Sequence, residues 1–339
     1  MRPMDTLSSL DGGEERPKPR DHGGDLDRAI AKFGGAAETW IDLSTGINPV
    51  PYPIGAIPSD CWTRLPAAAA MSELLRAARE AYGVPASVSI VAAPGAQALI
   101  QLTPRLRAPG AVAIVSPTYN EHSAAFAVER WRVEAVSELG QGGDCDAAVI
   151  VNPNNPDGRL WPHEAINEVA QQVGLLVIDE SFADPMPGAS MAADPPPGAV
   201  LLRSFGKFYG LAGLRLGFAI GRELDVSRLR SMLGPWAVSG PAIAIATRAL
   251  SAKDWAAAAI QRLDRDAARL DAMAVRNGWR LAGGTALFRT YETRNAIEAQ
   301  ETLAAHQIWS RIFPYSQTWL RLGLPGQEAH WARLERALT

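Results

Sequence analysis

Apolar positions along the chain keep two rhythms. Between Ala67 and Tyr82, Met71, Leu74, Leu75 and Ala78 recur at helical spacing and stop at Gly83, ahead of Pro85, which predicts a helix. Short apolar runs then follow at Val88 to Ala93, Ala111 to Val115, Asp146 to Val151, Leu175 to Ile178, Leu201-Leu202 and Leu216 to Ile220. Each reads as a strand, and the continuous run Leu175 to Ile178 reads as buried on both faces. Helical stretches at Ala96 to Leu102, Glu121 to Arg130 and Pro162 to Val173 lie between them. Strands alternating with helices predict an α/β fold with a mostly parallel central sheet flanked by helices, whose ligands gather beyond the strand C-terminal ends.

The segment from Glu223 to Asn277 is alanine-rich and helical in pattern, broken at Gly234-Pro235 and Gly240-Pro241. After Gly278 the rhythm changes. Short β-like runs (Ala286 to Tyr291, Ile308 to Phe313, Thr318 to Leu322) mix with helices near Ala296 to Ala305 and Glu328 to Leu338, which predicts a small C-terminal α+β domain. The expected division is a mobile arm over 1–20, a segment 21–50 that completes the small domain, a large domain over 51–250, and a linking helix with the small domain over 251–339.

Composition narrows the function. With 33 basic and 36 acidic residues the net charge is −3, so no global positive field points to nucleic acid or an anionic membrane. No apolar run approaches the roughly 20 residues of a membrane span. Only Cys61 and Cys145 are present, and no secretion signal opens the chain, so a cytoplasmic protein with a small-molecule partner is expected. Gly-x-x-x-x-Gly-Lys and His-Glu-x-x-His are both missing, and no metal site is indicated.

One residue demands explanation. Lys207 sits in a turn between the buried runs at Leu201 and Leu216, among Phe205, Phe208, Tyr209 and Leu211. Desolvation there lowers an ammonium pKa and frees the amine for carbonyl chemistry, although a surface lysine on a loop fits the same local pattern. Tyr119, Asn155 and Asp179 also fall just past strand ends. Gly95-Ala96 opens a strand-to-helix turn whose free N–H groups suit a phosphate, a feature common in α/β proteins. Singly, Tyr119 and Asn155 read equally well as turn residues, Asp179 as a helix cap, and Arg215 and Arg321 as surface charges.

The ordered set Gly95-Ala96, Tyr119, Asn152-Pro153-Asn154-Asn155-Pro156 with Gly158, Asp179-Glu180, Ser204-Phe205-Gly206-Lys207 and Gly213-Leu214-Arg215-Leu216-Gly217 resembles the fold-type I pyridoxal-phosphate enzymes of the aspartate aminotransferase superfamily. The resemblance covers roughly residues 22 to 339 and implies pyridoxal 5′-phosphate as cofactor and a homodimer. It implies Lys207 as the covalent anchor, Asp179 on the pyridine nitrogen, Asn155 on the phenolic oxygen and Tyr119 against the ring. Gly95, Ala96, Ser204 and Arg215 would cradle the cofactor phosphate, and Arg321 would grip a substrate carboxylate. His22-Gly23-Gly24-Asp25, Ile41 to Pro49 and Trp319 to Pro325 are similar to the branch that decarboxylates L-threonine O-3-phosphate in cobalamin synthesis. For such a substrate, His22, Arg311 and the Ser44-Thr45-Gly46 backbone are candidates for the phosphate, because cations and free N–H groups suit a dianion. A histidinol-phosphate-like aminotransferase and a non-catalytic binding protein on the same fold remain alternatives. Phe182, Gly206 and Leu65 depart from the tyrosine, serine and tyrosine frequent in relatives.

Overall fold

The computed structural model describes residues 22–339, and the arm expected over 1–20 lies outside them. Thirteen strands occur among the described residues. The first, β1 (Ile41–Asp42), stands apart from the central sheet, which comprises β2 (Ser89–Ala93), β3 (Ala111–Val115), β4 (Arg132–Val136), β5 (Ala147–Val151), β6 (Leu175–Asp179), β7 (Ala199–Ser204) and β8 (Gly217–Gly221). Their order is β2-β8-β7-β6-β5-β3-β4, parallel throughout except that β8 runs antiparallel to both neighbours.

Two-faced burial explains the unbroken apolar runs. Leu176, Ile178, Leu201 and Ile220 enter one hydrophobic cluster, and Leu175, Val177, Val200 and Leu202 enter the other. The side chains alternate across the sheet with period two, and helices cover both faces. Parallel alignment of β5, β6 and β7 then brings the turns after Val151, Asp179 and Ser204 to one edge.

A second sheet is antiparallel, in the order β12-β13-β10-β9, from β9 (Arg280–Thr285), β10 (Phe288–Glu292), β12 (Arg311–Phe313) and β13 (Ser316–Gly323). β11 (Ile308–Trp309) pairs in parallel with β1. The early segment is therefore stitched to late residues: Leu43 N–H donates to Trp309 O at 2.8 Å, and Gly323 N–H donates to Leu43 O at 2.7 Å. Between the sheets runs a 24-residue helix, Lys253–Arg276.

Some elements differ from expectation. β4 is an edge strand with no fully buried residue, so it lacks an apolar run and its pattern does not announce it. The helix expected to Arg130 ends at Val128, and Arg130 adopts a φ of 63° on the way into β4. β9 carries Gly283-Gly284, which hides a strand from propensity reasoning. The run Ile308 to Phe313 is two strands divided at Ser310.

The two sheets meet through glycine. A Cβ on Gly158 would lie 2.1 Å from Gly284 O, and one on Gly283 would lie 1.9 Å from Asp157 O. Backbone packs on backbone here, and the Thr290 hydroxyl donates to Pro156 O at 2.5 Å. Thr290 is paired with Arg321 in the β10–β13 register, so this contact aims Arg321 at the turn that carries Asn155.

Candidate active site

A cavity of about 320 Å³ opens at the C-terminal edge of the parallel strands, between the two sheets. All twelve residues singled out from the sequence line it. Gly95, Ala96, Tyr119, Asn155, Asp179, Ser204, Lys207 and Arg215 come from the central sheet and its turns. His22, Gly46, Arg311 and Arg321 reach it from the early segment and the antiparallel sheet.

Lys207 lies in the one-turn helix Phe205–Phe208 between β7 and β8, half-buried, with its Nζ 5.7 Å from the Phe182 ring centre. Burial pulls its amine down, and Arg321 and Arg215 lower it further against the opposing pull of Asp179, to about 8. Such an amine has an appreciable free-base fraction near neutrality.

Asp179 ends β6 and is 2% exposed. Its Oδ2 lies 2.9 Å from His122 Nε2, and its Oδ1 accepts from the Ser181 N–H at 2.9 Å and the Ser181 hydroxyl at 2.5 Å. Burial alone would raise this carboxyl, but the bonds from His122 and Ser181 outweigh it and hold the group below its ordinary value. Asp179 is thus a buried, ionised acceptor at the cavity wall.

Arg321, 6% exposed, is held from two sides. It donates through Nη1 to Asn155 Oδ1 and through Nη2 to Ser44 O at 2.8 Å, while its Nε has no partner. Burial and the nearby Arg311 lower it to about 10, and it stays charged at neutral pH. With Asn155 Oδ1 engaged by Arg321, the Asn155 amide retains N–H groups to donate.

The anion cradle is built by absence of side chains. Gly95 has a φ of 90° and precedes the helix Ala96–Leu102; a Cβ there would lie 2.9 Å from Arg215 Nη2. A Cβ on Gly217 would sit 2.5 Å from the Ala96 nitrogen, so β8 can pass against this turn only as glycine. Backbone N–H groups, the Ser204 hydroxyl and the Arg215 guanidinium therefore converge on one end of the cavity. Tyr119 donates to Gln97 Oε1 at 3.2 Å, and His22 Nε2 lies 3.1 Å from Glu121 Oε1.

Two departures gain physical reasons. Any side chain at Gly206 would meet Ala212 Cα at 2.6 Å, so serine has no room there. Phe182 packs edge-on to Phe288 at 4.9 Å, and their rings leave space at Gly46 only for hydrogen.

His122 and Ser181 escaped the sequence reading, although both touch Asp179. His122 lies in the first turn of the helix Glu121–Val128, and no spacing in the sequence marks it. The pairing of buried Arg203 with Glu180 at 2.9 Å and Asp184 at 3.1 Å was also unforeseen. It ties the residue after Asp179 to the residue before Ser204.

A half-buried amine of lowered pKa, an ionised carboxylate, a glycine-bearing turn beside Arg215 and a buried arginine thus share one cavity. The chain belongs to the aminotransferase class I and II family, whose model matches residues 65–330. Among its relatives, a threonine-phosphate decarboxylase of Sinorhizobium sp. is 41% identical over 94% of this chain and 97% of its own length. A threonine-phosphate decarboxylase of Pseudomonas aeruginosa is 40% identical with the same coverage. In fold the chain is similar to histidinol-phosphate aminotransferase of Sinorhizobium meliloti in complex with pyridoxal 5′-phosphate, with a TM-score of 0.80, 19% identity, and coverage of 97% of this chain and 98% of that one.

Proposed function

We propose that the protein binds pyridoxal 5′-phosphate and decarboxylates L-threonine O-3-phosphate to 1-amino-2-propanol O-2-phosphate, a building block of the cobalamin side chain. The observation that carries this is the buried Arg321, its Nε without a partner, in the same cavity as Lys207 and Asp179. Two relatives near 40% identity that bear the decarboxylase name support the choice of reaction.

The cofactor, when bound, supplies an electron sink for the pair left on Cα when a bond breaks. Lys207 Nζ would anchor it covalently, attacking through its unprotonated amine. Asp179 Oδ2, ionised and oriented by His122, would hold a proton on the ring nitrogen. The Asn155 amide N–H would donate to the phenolic oxygen, and Tyr119 would lie against the ring. Gly95 and Ala96 N–H groups, Ser204 and Arg215 would hold the phosphate.

Arg321 receives the substrate carboxylate through Nε–H and the N–H groups left on its Nη atoms. His22, Arg311 and the Gly46 backbone hold the substrate phosphate. Phe182, backed by the buried Phe288, would give the cavity an apolar surface beside Lys207. With its place taken by the substrate amine, Lys207 Nζ, or a nearby water, would deliver the proton to Cα after CO2 leaves, so that hydrogen replaces the departed carboxyl.

The same reading divides the chain at about residues 50 and 250, with 21–50 completing the small domain, and makes the protein a homodimer. Ile54, Trp62, Leu65 and Trp236 are exposed apolar side chains that a second copy would cover. Mass analysis of cofactor-loaded protein with L-threonine O-3-phosphate, with and without 2-oxoglutarate, tests the reaction. CO2 and the amino-alcohol phosphate are expected without the oxoacid. A ketone formed only with 2-oxoglutarate would make the protein an aminotransferase.

A further inference from the structure

Beside the catalytic cavity lies a second one of about 580 Å³, and the two share His22, Arg311, Phe313 and Pro314 in their walls. Among the described residues its lining includes Arg294, together with Asp25, which accepts the Arg28 N–H at 3.1 Å as a helix cap.

Ser310 lines the same cavity at the break between β11 and β12. It is 1% exposed, and its hydroxyl has no hydrogen-bond partner. Leaving a buried hydroxyl unpaired is costly, and an incoming acceptor oxygen would remove that cost. Gln300 fixes the strand at this point by donating to Ser310 O at 2.8 Å. Arg294 stands just before the helix Ala296–Ala305, whose first residues also line the cavity, so the positive end of that helix adds to the field.

We propose that this second cavity is a binding site for a small phosphate-bearing anion, built on Arg294 and the Ser310 hydroxyl. A guanidinium and a hydroxyl donor together suit a compact dianion with several acceptor oxygens. Where the substrate is a phosphorylated amino acid, which rests on the function proposed above, the site holds its phosphate one cavity away from Lys207. It thereby concentrates substrate beside the reacting centre.

Calorimetric titration of inorganic phosphate into cofactor-loaded protein at low ionic strength tests the site without turnover. Arg294→Ala should weaken one binding event about tenfold. Ser310→Ala should weaken the same event while raising Tm, because an unpaired buried hydroxyl is removed; a purely structural serine would change Tm alone. Arg321→Gln, outside this cavity, should leave that event in place. Unchanged phosphate affinity in folded Arg294→Ala and Ser310→Ala proteins, or phosphate bound only where Arg321→Gln abolishes it, overturns the site. A protein that binds phosphate through Arg294 yet releases no CO2 overturns the decarboxylase reading and leaves the site standing.

Discussion

Capture of the cofactor by the apoprotein should titrate with Lys207. Its amine lies at about 8 where an ordinary lysine lies at 10.5, because burial, Arg321 and Arg215 all disfavour the ammonium. The shift corresponds to roughly 3 kcal/mol of differential interaction. At pH 7.5 about a quarter of the amines are then free, against about one in a thousand for an unshifted lysine, an advantage of some two hundredfold in nucleophile. Only the free amine attacks the cofactor aldehyde, so the rate should rise through pH 7 to 8 and level off above about 9. Removing the Arg321 charge as Arg321→Gln moves the midpoint upward and slows capture most at low pH. Stopped-flow absorbance of cofactor uptake between pH 6.5 and 10 measures both. A wild-type profile still climbing steeply at pH 10, or one that Arg321→Gln does not move, would refute the electrostatic account of this lysine.

Three further outcomes are expected. His122→Phe removes one bond to Asp179 and leaves burial less opposed, so the carboxyl should rise, activity should fall about tenfold to a hundredfold, and the acid limb of the pH–rate profile should move to higher pH. Arg203→Met strands Glu180 and Asp184 as unpaired buried carboxylates and should cost about 3–5 kcal/mol in denaturant unfolding, with part recovered when both acids are neutralised by substitution. Gly158→Ala places a methyl against Gly284 O at a φ of 70°; calorimetry should show a lowered Tm, and KM should rise because the Asn155 turn no longer presses on the sheet that aims Arg321.

Chemistry that falls at the ends of apolar strands was legible in the sequence. Asp179 closes a fully buried run, Lys207 interrupts two such runs, and Gly95 follows another, so strand reading alone brings these residues to one edge. Arg321 and Arg311 were harder to place, because they come from a sheet whose strands are short, glycine-bearing and half-exposed. The family resemblance set Arg321 in the site, and the fit of a cation to a phosphate dianion suggested Arg311; the backbone contact between Gly158 and Gly284 brings the two sheets together. His122 stayed hidden because a lone histidine in a helix carries no periodic signal. The Arg203 ion pairs stayed hidden because a charge inside an apolar strand reads as an edge or an interruption, and its compensation lies 23 residues away.

The role of Arg321 separates the two reactions that the fold supports. A guanidinium paired with a carboxylate stabilises the charge that decarboxylation discharges, since CO2 leaves neutral. Such a contact favours the bound substrate over the transition state and yields affinity at some expense of rate. In transamination the carboxylate keeps its charge throughout, and the same contact serves ground state and transition state alike. Arg321→Gln in a decarboxylase should therefore raise KM steeply, by about a hundredfold for a lost charge-assisted pair, while kcat per loaded site falls little or rises. Steady-state kinetics on cofactor-saturated protein, at a pH above the Lys207 midpoint so that cofactor attachment is not limiting, reads the split. A kcat that collapses while KM holds would mean that Arg321 acts on the transition state itself, and that the carboxylate is bound elsewhere in the cavity.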